Sequence, residues 1–261
     1  MKKLSDINGV YNTEPKKIPL ITRALPSPFF YTKIAILVWQ ASLLCKRSLY
    51  DNTEWSDSSL SILRTMEYVG GIIEITGMDI LKEIKRPVVF ISNHMSSLET
   101  MILPCMIEPY VDSTFVIKRG IYNMPVFKHL IRARDPIVVD RKNPRADFAL
   151  VMSKGVEILN SGRSIIIFPQ TTRTVEFDPE QFNTIGIKLA KRANVDIVPI
   201  AVKTDAWGNG KIIKELGKID PSKKIFFAFG NPMKLKDRQQ DTHDAIISFI
   251  TSKLKSWDNT H

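Results

Sequence analysis

Cysteine and histidine are both scarce in this chain of 261 residues. Its two cysteines, Cys45 and Cys105, lie far apart and belong to no CxxC pair or Cys/His cluster. This pattern argues against a disulfide framework and against a structural zinc site, so we expect no metal. With only four histidines in the chain, chemistry that needs an imidazole falls to His94 or His129.

Several enzyme motifs are absent, as is a long hydrophobic run. The chain contains no GxGxxG after its first strand pattern, no GxxxxGK[ST], no GxSxG and no HExxH. Their absence argues against a dinucleotide enzyme, a P-loop NTPase, an α/β-hydrolase and a zincin. The uncharged stretch Ile34–Cys45 has twelve residues, which is fewer than the roughly 20 that a spanning helix needs. Pro26, Pro28 and Lys33 argue against extending it toward the N-terminus.

The charge of the chain is mostly positive and unevenly distributed. There are 37 Lys and Arg against 27 Asp and Glu, and residues 1–50 carry +6 of the net +10. Such an excess indicates an anionic partner, which can be nucleic acid, an anionic membrane surface or a phosphorylated substrate. Basic residues on both sides of a short apolar run with Trp39 favour a segment lying in the membrane interface. An ordinary core helix with solvated ends is the alternative.

From Arg86 onward, strand patterns alternate with helical patterns. The strand patterns are Val88–Ser92, Thr114–Lys118, Ile137–Asp140, Ser164–Phe168, Asp196–Val202 and Ile225–Phe229. The helical patterns are Leu98–Glu108, Pro125–Arg134, Arg145–Asn160, Gln181–Ala193 and Asp244–Trp257. This alternation predicts an α/β fold with a mostly parallel central sheet flanked by helices.

Two regions follow from these patterns. Residues 1–75 are expected to form a basic, apolar helical segment for membrane association, and residues 76–261 the α/β domain. Within the first region, Asp57–Ile75 has a helical pattern that Gly70-Gly71 interrupts.

The most informative stretch surrounds His94. An apolar strand pattern ends directly before Asn93-His94, and ligands of open parallel sheets bind beyond the carboxyl ends of strands. Glu99 follows five residues later, and its carboxylate meets the imidazole if His94 lies in the loop before the helix. Two structural explanations stay open: Ser96 and Glu99 also match a capping box, and a lone histidine at a strand end is often a structural residue.

Asn93-His94 followed after four residues by an acid resembles the NHx4D motif of the glycerolipid acyltransferases, in particular the PlsC-type 1-acylglycerol-3-phosphate acyltransferases. Three more stretches resemble the family's other motifs in the same order: Lys118-Arg119 through Pro125 to Ile137–Arg141, Phe168–Arg173, and Val198–Ile200. Together they cover about residues 80–205. Glu99 stands where the family has Asp, and Gln170 and Thr171 stand where its third motif, FPEGTR, has Glu and Gly.

The resemblance implies a reaction and a role for each matching residue. An acyl chain would pass from a thioester, on coenzyme A or acyl carrier protein, to the hydroxyl of a lysophospholipid, foremost 1-acylglycerol-3-phosphate to give phosphatidic acid. His94 would be the general base and Glu99 would orient it. The substrate-binding positions would be Lys118, Arg141, Gln170, Thr171 and Arg173. No cofactor is implied beyond the acyl donor as co-substrate.

A lipid acceptor implies a membrane-associated protein, peripheral or monotopic, on an anionic cytoplasmic surface. Nucleic acid is not expected as a partner, because the motifs of nucleic-acid-binding proteins are missing. The altered third motif keeps two alternatives open. The first is acyl transfer to another polar lipid, such as a lipid A precursor, a lyso-ornithine lipid or another lysophospholipid. The second is a membrane-binding relative that has lost catalysis.

Overall fold

The computed structural model describes residues 1–125, 127–170, 172–210, 213–235 and 237–259. In chain order its elements are β1 (Tyr11–Asn12), α1 (Leu20–Ala24), α2 (Pro26–Lys46), α3 (Asn52–Tyr68), β2 (Ile73–Thr76), α4 (Met78–Glu83), β3 (Val89–Ser92), α5 (Leu98–Ile107), β4 (Ser113–Lys118), α6 (Arg119–Tyr122), α7 (Lys128–Arg132), β5 (Ile137–Val139), α8 (Pro144–Asn160), β6 (Ser164–Ile167), a short 3-10 helix (Pro179–Gln181), α9 (Ile185–Ala193), β7 (Ile197–Lys203), β8 (Ile225–Phe229) and α10 (Gln239–Asp258).

The strands in these described ranges form one eight-stranded sheet in the order β1-β2-β8-β7-β3-β6-β4-β5. Strands β7, β3, β6, β4 and β5 run parallel to one another. Strand β8 pairs with β7 in the antiparallel direction, β2 runs parallel to β8, and β1 is antiparallel to β2. The predicted α/β fold with a mostly parallel sheet is confirmed.

Two apolar clusters cover the two faces of the sheet, because successive side chains of a strand point to opposite faces. In β3, Phe90 belongs to the cluster that includes residues of α2, α3 and α5. Its neighbours Val89 and Ile91 belong to the cluster that includes residues of α8, α9 and α10. All four residues of β3 are buried, and the strand lies between β7 and β6 in the middle of the sheet.

The predicted helix over Asp57–Ile75 is wrong at its C-terminal end. Helix α3 ends at Tyr68, and Ile73–Thr76 is strand β2. Gly70 has a φ of +104° and the backbone N–H of Gly71 donates to the carbonyl of Met66. The two glycines therefore terminate the helix, since a left-handed residue can close the last turn. Strands β1 and β2 thus join the sheet, and the division at residues 75 and 76 stays a prediction.

Helix α2 is longer than the sequence analysis expected. It spans 21 residues and begins at Pro26. A proline in the first turn is compatible with a helix, because its missing backbone N–H costs no helical hydrogen bond there. Among the described residues it is the one helix long and apolar enough to cross a membrane by length and composition. The stripe Phe30, Ile34, Val38 and Ala41 is buried. The opposite side, including Trp39, is exposed, so α2 packs on the domain with one face only.

Candidate active site

Five neighbouring parallel strands deliver residues to one edge of the sheet. Thr204 directly follows β7, His94 lies just after β3, Phe168 directly follows β6, and Lys118 closes β4. Arg141 lies two residues beyond the end of β5. Carboxyl ends of parallel strands are where ligands of open α/β sheets bind.

Asn93 fixes the start of the loop between β3 and α5. Its side-chain Nδ2 donates to the carbonyl of Val202, and its Oδ1 accepts from the backbone N–H of Val202, both at 2.8 Å. The amide side chain therefore continues the hydrogen bonding between β3 and β7 past the end of the strand. This anchor sets the direction in which the chain leaves the sheet at His94.

His94 lies in this loop, and its Nδ1 is 2.8 Å from Oε1 of Glu99. The position meets the geometric condition that the sequence analysis set for the pair. A carboxylate accepts a hydrogen bond from Nδ1–H, which leaves Nε2 as the basic nitrogen of the neutral ring. The ring of Phe168 stacks on the imidazole, with centroids 4.5 Å apart, and so restricts its orientation.

The carboxylate of Glu99 is fully buried and surrounded by donors. Its Oε1 accepts from the backbone N–H groups of Met95 and Ser96 at 2.7 and 2.8 Å. Its Oε2 accepts from the hydroxyls of Thr204 and Ser96 at 2.6 and 2.9 Å. Burial raises the pKa of a carboxyl, but the hydrogen bonds and charge of His94, with help from Thr204, outweigh it and lower the pKa of Glu99.

The capping explanation and the pairing explanation of Glu99 are therefore compatible. The same Oε1 that contacts His94 accepts from the Ser96 backbone, as in a capping box. The hydroxyl of Ser97 does not cap the helix: it accepts from the guanidinium of Arg173.

A cavity of about 290 Å³ opens at His94. Its apolar wall includes Trp55, Met101, Phe115, Ile117, Met124 and Leu130. Every residue of β4 from Thr114 to Lys118 lines it, so it follows the strand over roughly 13 Å. The apolar part of this wall suits a flexible apolar chain.

Three of the predicted basic residues, Lys118, Arg141 and Arg173, line the same cavity. Nη2 of Arg173 donates to Oε1 of Glu215 at 2.7 Å. Arg141 is exposed and has a φ of +60°, and partial desolvation of its guanidinium lowers its pKa against the opposing charge of Asp147. The structure thus brings His94 and three cations to one space, and their predicted substrate contacts stay predictions.

Gln170, one of the predicted substrate-binding residues, lies beside the backbone of the His94 loop. Its side chain is buried and Oε1 accepts from the backbone N–H of His94 at 2.6 Å. Its Nε2 donates to the hydroxyl of Thr174, whose backbone N–H donates to the carbonyl of His94. Gln170 therefore supports the His94 loop, and its predicted substrate contact stays a prediction. Thr171, the other altered residue, lies outside the described residues.

Sequence reasoning missed Thr204, Lys214 and Glu215. Thr204 carries a usable signal, since it is the first polar residue after a buried strand at the carboxyl edge. Lys214 and Glu215 lie on the connection from β7 to β8, with no periodicity or motif to indicate that they line the cavity.

The fold is that of a PlsC-type protein. The crystal structure of the 1-acyl-sn-glycerophosphate acyltransferase PlsC from Thermotoga maritima superimposes with a TM-score of 0.66, covering 91% of this chain and 97% of that one. The sequence identity is 15%, so this likeness concerns the fold.

The family itself follows from the sequence comparison. The acyltransferase family model matches residues 72–203, and the chain belongs to this family. The 1-acyl-sn-glycerol-3-phosphate acyltransferase of Pseudomonas aeruginosa is 32% identical over 51% of this chain and 50% of that protein. A probable enzyme of the same name from Mycoplasma genitalium is 29% identical over 60% of this chain and 55% of its own. The chain thus spans about half the length of these curated relatives.

Proposed function

We propose that this protein transfers a fatty acyl group from a thioester to the hydroxyl of 1-acylglycerol-3-phosphate and so forms phosphatidic acid. The observation that carries the proposal is the His94–Glu99 pair, which opens into the same cavity as Lys118, Arg141 and Arg173. The printed names of the relatives from Pseudomonas aeruginosa and Mycoplasma genitalium support the acceptor.

In this proposal His94 is the general base. As the acceptor hydroxyl attacks the thioester carbonyl, Nε2 takes the hydroxyl proton, and the thiolate leaves and takes a proton back from the imidazolium. Glu99 holds the ring through Nδ1, and its charge stabilises the imidazolium. No acyl-enzyme is needed, because the base acts directly on the acceptor.

The two kinds of cavity wall divide the substrates between them. Arg141 and Arg173 suit an acceptor phosphate, since a guanidinium binds phosphate oxygens in a bidentate manner. The apolar wall of the cavity along β4 suits an acyl chain. Coenzyme A and acyl carrier protein are the two donor carriers that the experiment compares.

Membrane association follows from the proposed acceptor and from the exposed face of α1 and α2. This face carries Leu20, Ile21, Leu25, Ile36, Trp39 and Leu43. Lys33 and Lys46 belong to the same helix, so an apolar surface lies beside positive charge. We propose that it rests on the anionic cytoplasmic leaflet.

The test is thiol release from palmitoyl-coenzyme A and from palmitoyl-acyl carrier protein, with and without lysophosphatidic acid. We expect release that requires the acceptor. His94→Ala should slow it by about 10²–10⁴-fold, the usual range for a lost general base. His129→Ala is the matched control, because His129 does not line the cavity.

Activity of His94→Ala within a few-fold of the parent would exclude the base assignment. Release only with another lysolipid would move the acceptor to a different polar lipid. No release with any donor or acceptor would favour a binding role.

A further inference from the structure

The connection between β7 and β8 reaches the candidate site from outside the part that the family model matches. Lys214 and Glu215 lie on it and line the cavity beside His94. Its backbone is held on two sides: Nε1 of Trp207 donates to the carbonyl of Glu215 at 3.1 Å, and Nδ2 of Asn209 donates to the carbonyl of Met95 at 3.2 Å. The Glu215 side chain therefore projects from an anchored backbone.

The carboxylate of Glu215 accepts a hydrogen bond from Nη2 of Arg173. The contact is 2.7 Å, and the side chains of Arg173 and Glu215 are only 11% and 19% exposed. Arg173 also donates to the hydroxyl of Ser97. Carboxylate and phosphate oxygens use the same N–H fork of an arginine. Glu215 is thus paired with the guanidinium that binds the acceptor phosphate in the proposed function.

We propose that Glu215 competes with the acceptor phosphate for Arg173 and so weakens the binding of every ligand that carries a phosphate. This inference rests on the proposed function, since it assumes an acceptor that carries a phosphate. Two anions on one mostly buried guanidinium repel each other, so the Glu215 side chain must leave before a phosphate binds. For soluble glycerol phosphate, the phosphate contacts alone must offset the free energy of displacing Glu215 from Arg173. For a lysolipid, burial of the apolar chain contributes as well.

Lys214 supplies the second positive charge of the proposed phosphate site. Its Nζ donates to the hydroxyl of Thr172 at 3.1 Å, at the mouth of the same cavity. When Glu215 moves away, Arg173 and Lys214 form a site with two positive charges and no acidic neighbour from this connection. The acceptor's apolar part offsets the loss of the Glu215–Arg173 contact. Glu215 weakens both kinds of ligand equally, so a small phosphate, which carries no acyl chain, is left with the weaker binding.

The experiment measures equilibrium binding of glycerol 3-phosphate by calorimetry in a His94→Ala background and without an acyl donor, so that no turnover occurs. Glu215→Gln removes the charge and keeps the shape of the side chain. We expect binding on the order of tenfold tighter, because a like charge next to the phosphate is gone. Glu83→Gln is the control that removes the same charge from the exposed surface of α4, and it should leave binding unchanged.

Binding that is unchanged or weaker in Glu215→Gln overturns the proposal, and weaker binding would identify Glu215 as a group that positions Arg173. Failure to detect binding in any variant overturns it as well. Glu215→Ala is the second variant if the glutamine form unfolds, and thermal unfolding of each variant controls for this. The proposed function fails separately, by absence of thiol release with lysophosphatidic acid in protein that retains His94.

In that active background, Glu215→Gln should also lower the KM for lysophosphatidic acid. A purely structural role of Glu215 would not lower KM. An unchanged or raised KM therefore contradicts the competition between Glu215 and the phosphate.

Discussion

The buried carboxylate of Glu99 joins two functions that are usually separate. It accepts the backbone N–H groups at the start of α5, and it contacts the imidazole that opens into the cavity. Against the effect of burial, the hydrogen bond and charge of His94, with help from Thr204, lower the pKa of this carboxyl and keep it ionised. In consequence, the stability of the loop and the orientation of His94 depend on one charge.

This dependence predicts how Glu99→Gln changes stability with pH. Because the pKa of Glu99 is lowered in the folded protein, its charge stabilises the fold above the unfolded pKa, and this contribution is lost as pH falls through the folded pKa. We expect the glutamine variant to be less stable than the parent at neutral pH. The difference should shrink progressively below pH 4.5, the ordinary value for a glutamate.

Urea unfolding of both proteins at neutral pH and in the acidic range measures this difference. The exposed Glu83 supplies the control variant, Glu83→Gln. A difference that does not change with pH would mean that Glu99 contributes through packing and not through its charge.

At the residue scale, the sequence predicted what a strand end and a short spacing determine. The pairing of His94 with Glu99 required only that His94 lie in the loop. By contrast, Glu215 meets Arg173 through a contact of residues far apart in sequence, on a connection without regular structure. No local pattern encodes such a contact. The hydrogen bond from the His94 backbone to Gln170 also joins two distant stretches, so the sequence alone does not predict it.

At the scale of elements, helix α2 has two apolar sides with different surroundings. Phe30 is fully buried, and the centroid of its ring is 4.9 Å from that of Trp207. Trp39 is 62% exposed on the other side. A helix in the middle of a soluble core would bury both, so the exposed side is available to a membrane surface.

Paired substitutions separate the two sides of α2. Trp39→Ser should weaken binding to anionic phospholipid vesicles and leave the free energy of unfolding nearly unchanged. Phe30→Ala should lower that free energy by about 3–5 kcal/mol, the usual cost of emptying a buried aromatic position. Vesicle co-sedimentation and urea unfolding measure the two effects. Equal vesicle binding by Trp39→Ser and the parent would remove α2 from the proposed membrane surface.

Elements differ in how much of them the sequence predicts. The strands from β3 to β8 lie within one residue of their predicted bounds, because the sequence of a buried strand is a nearly continuous apolar run. Strand β2 was missed because its residues also fit the helical spacing of α3, and only tertiary pairing with β8 decides between the two. Strand β1 has two residues, too few for any pattern.

At the scale of the whole molecule, the net charge of +10 and the exposed apolar face of α1 and α2 act together. Residues 1–50 carry more than half of the net charge and include both helices. Electrostatic attraction to a charged surface is screened by salt, with a Debye length that falls from about 10 Å at 0.1 M to about 3 Å at 1 M. Apolar insertion is not screened in this way.

Vesicle binding should therefore have a salt-sensitive and a salt-resistant part. We expect the preference for anionic over zwitterionic vesicles to decrease steadily with added sodium chloride, while the binding common to both persists. Trp39→Ser should reduce the binding that anionic and zwitterionic vesicles share. It should not change how the preference for anionic vesicles depends on salt, because the substitution changes no charge. A preference for anionic vesicles that does not respond to salt would show that the basic residues of the first fifth of the chain do not face the membrane.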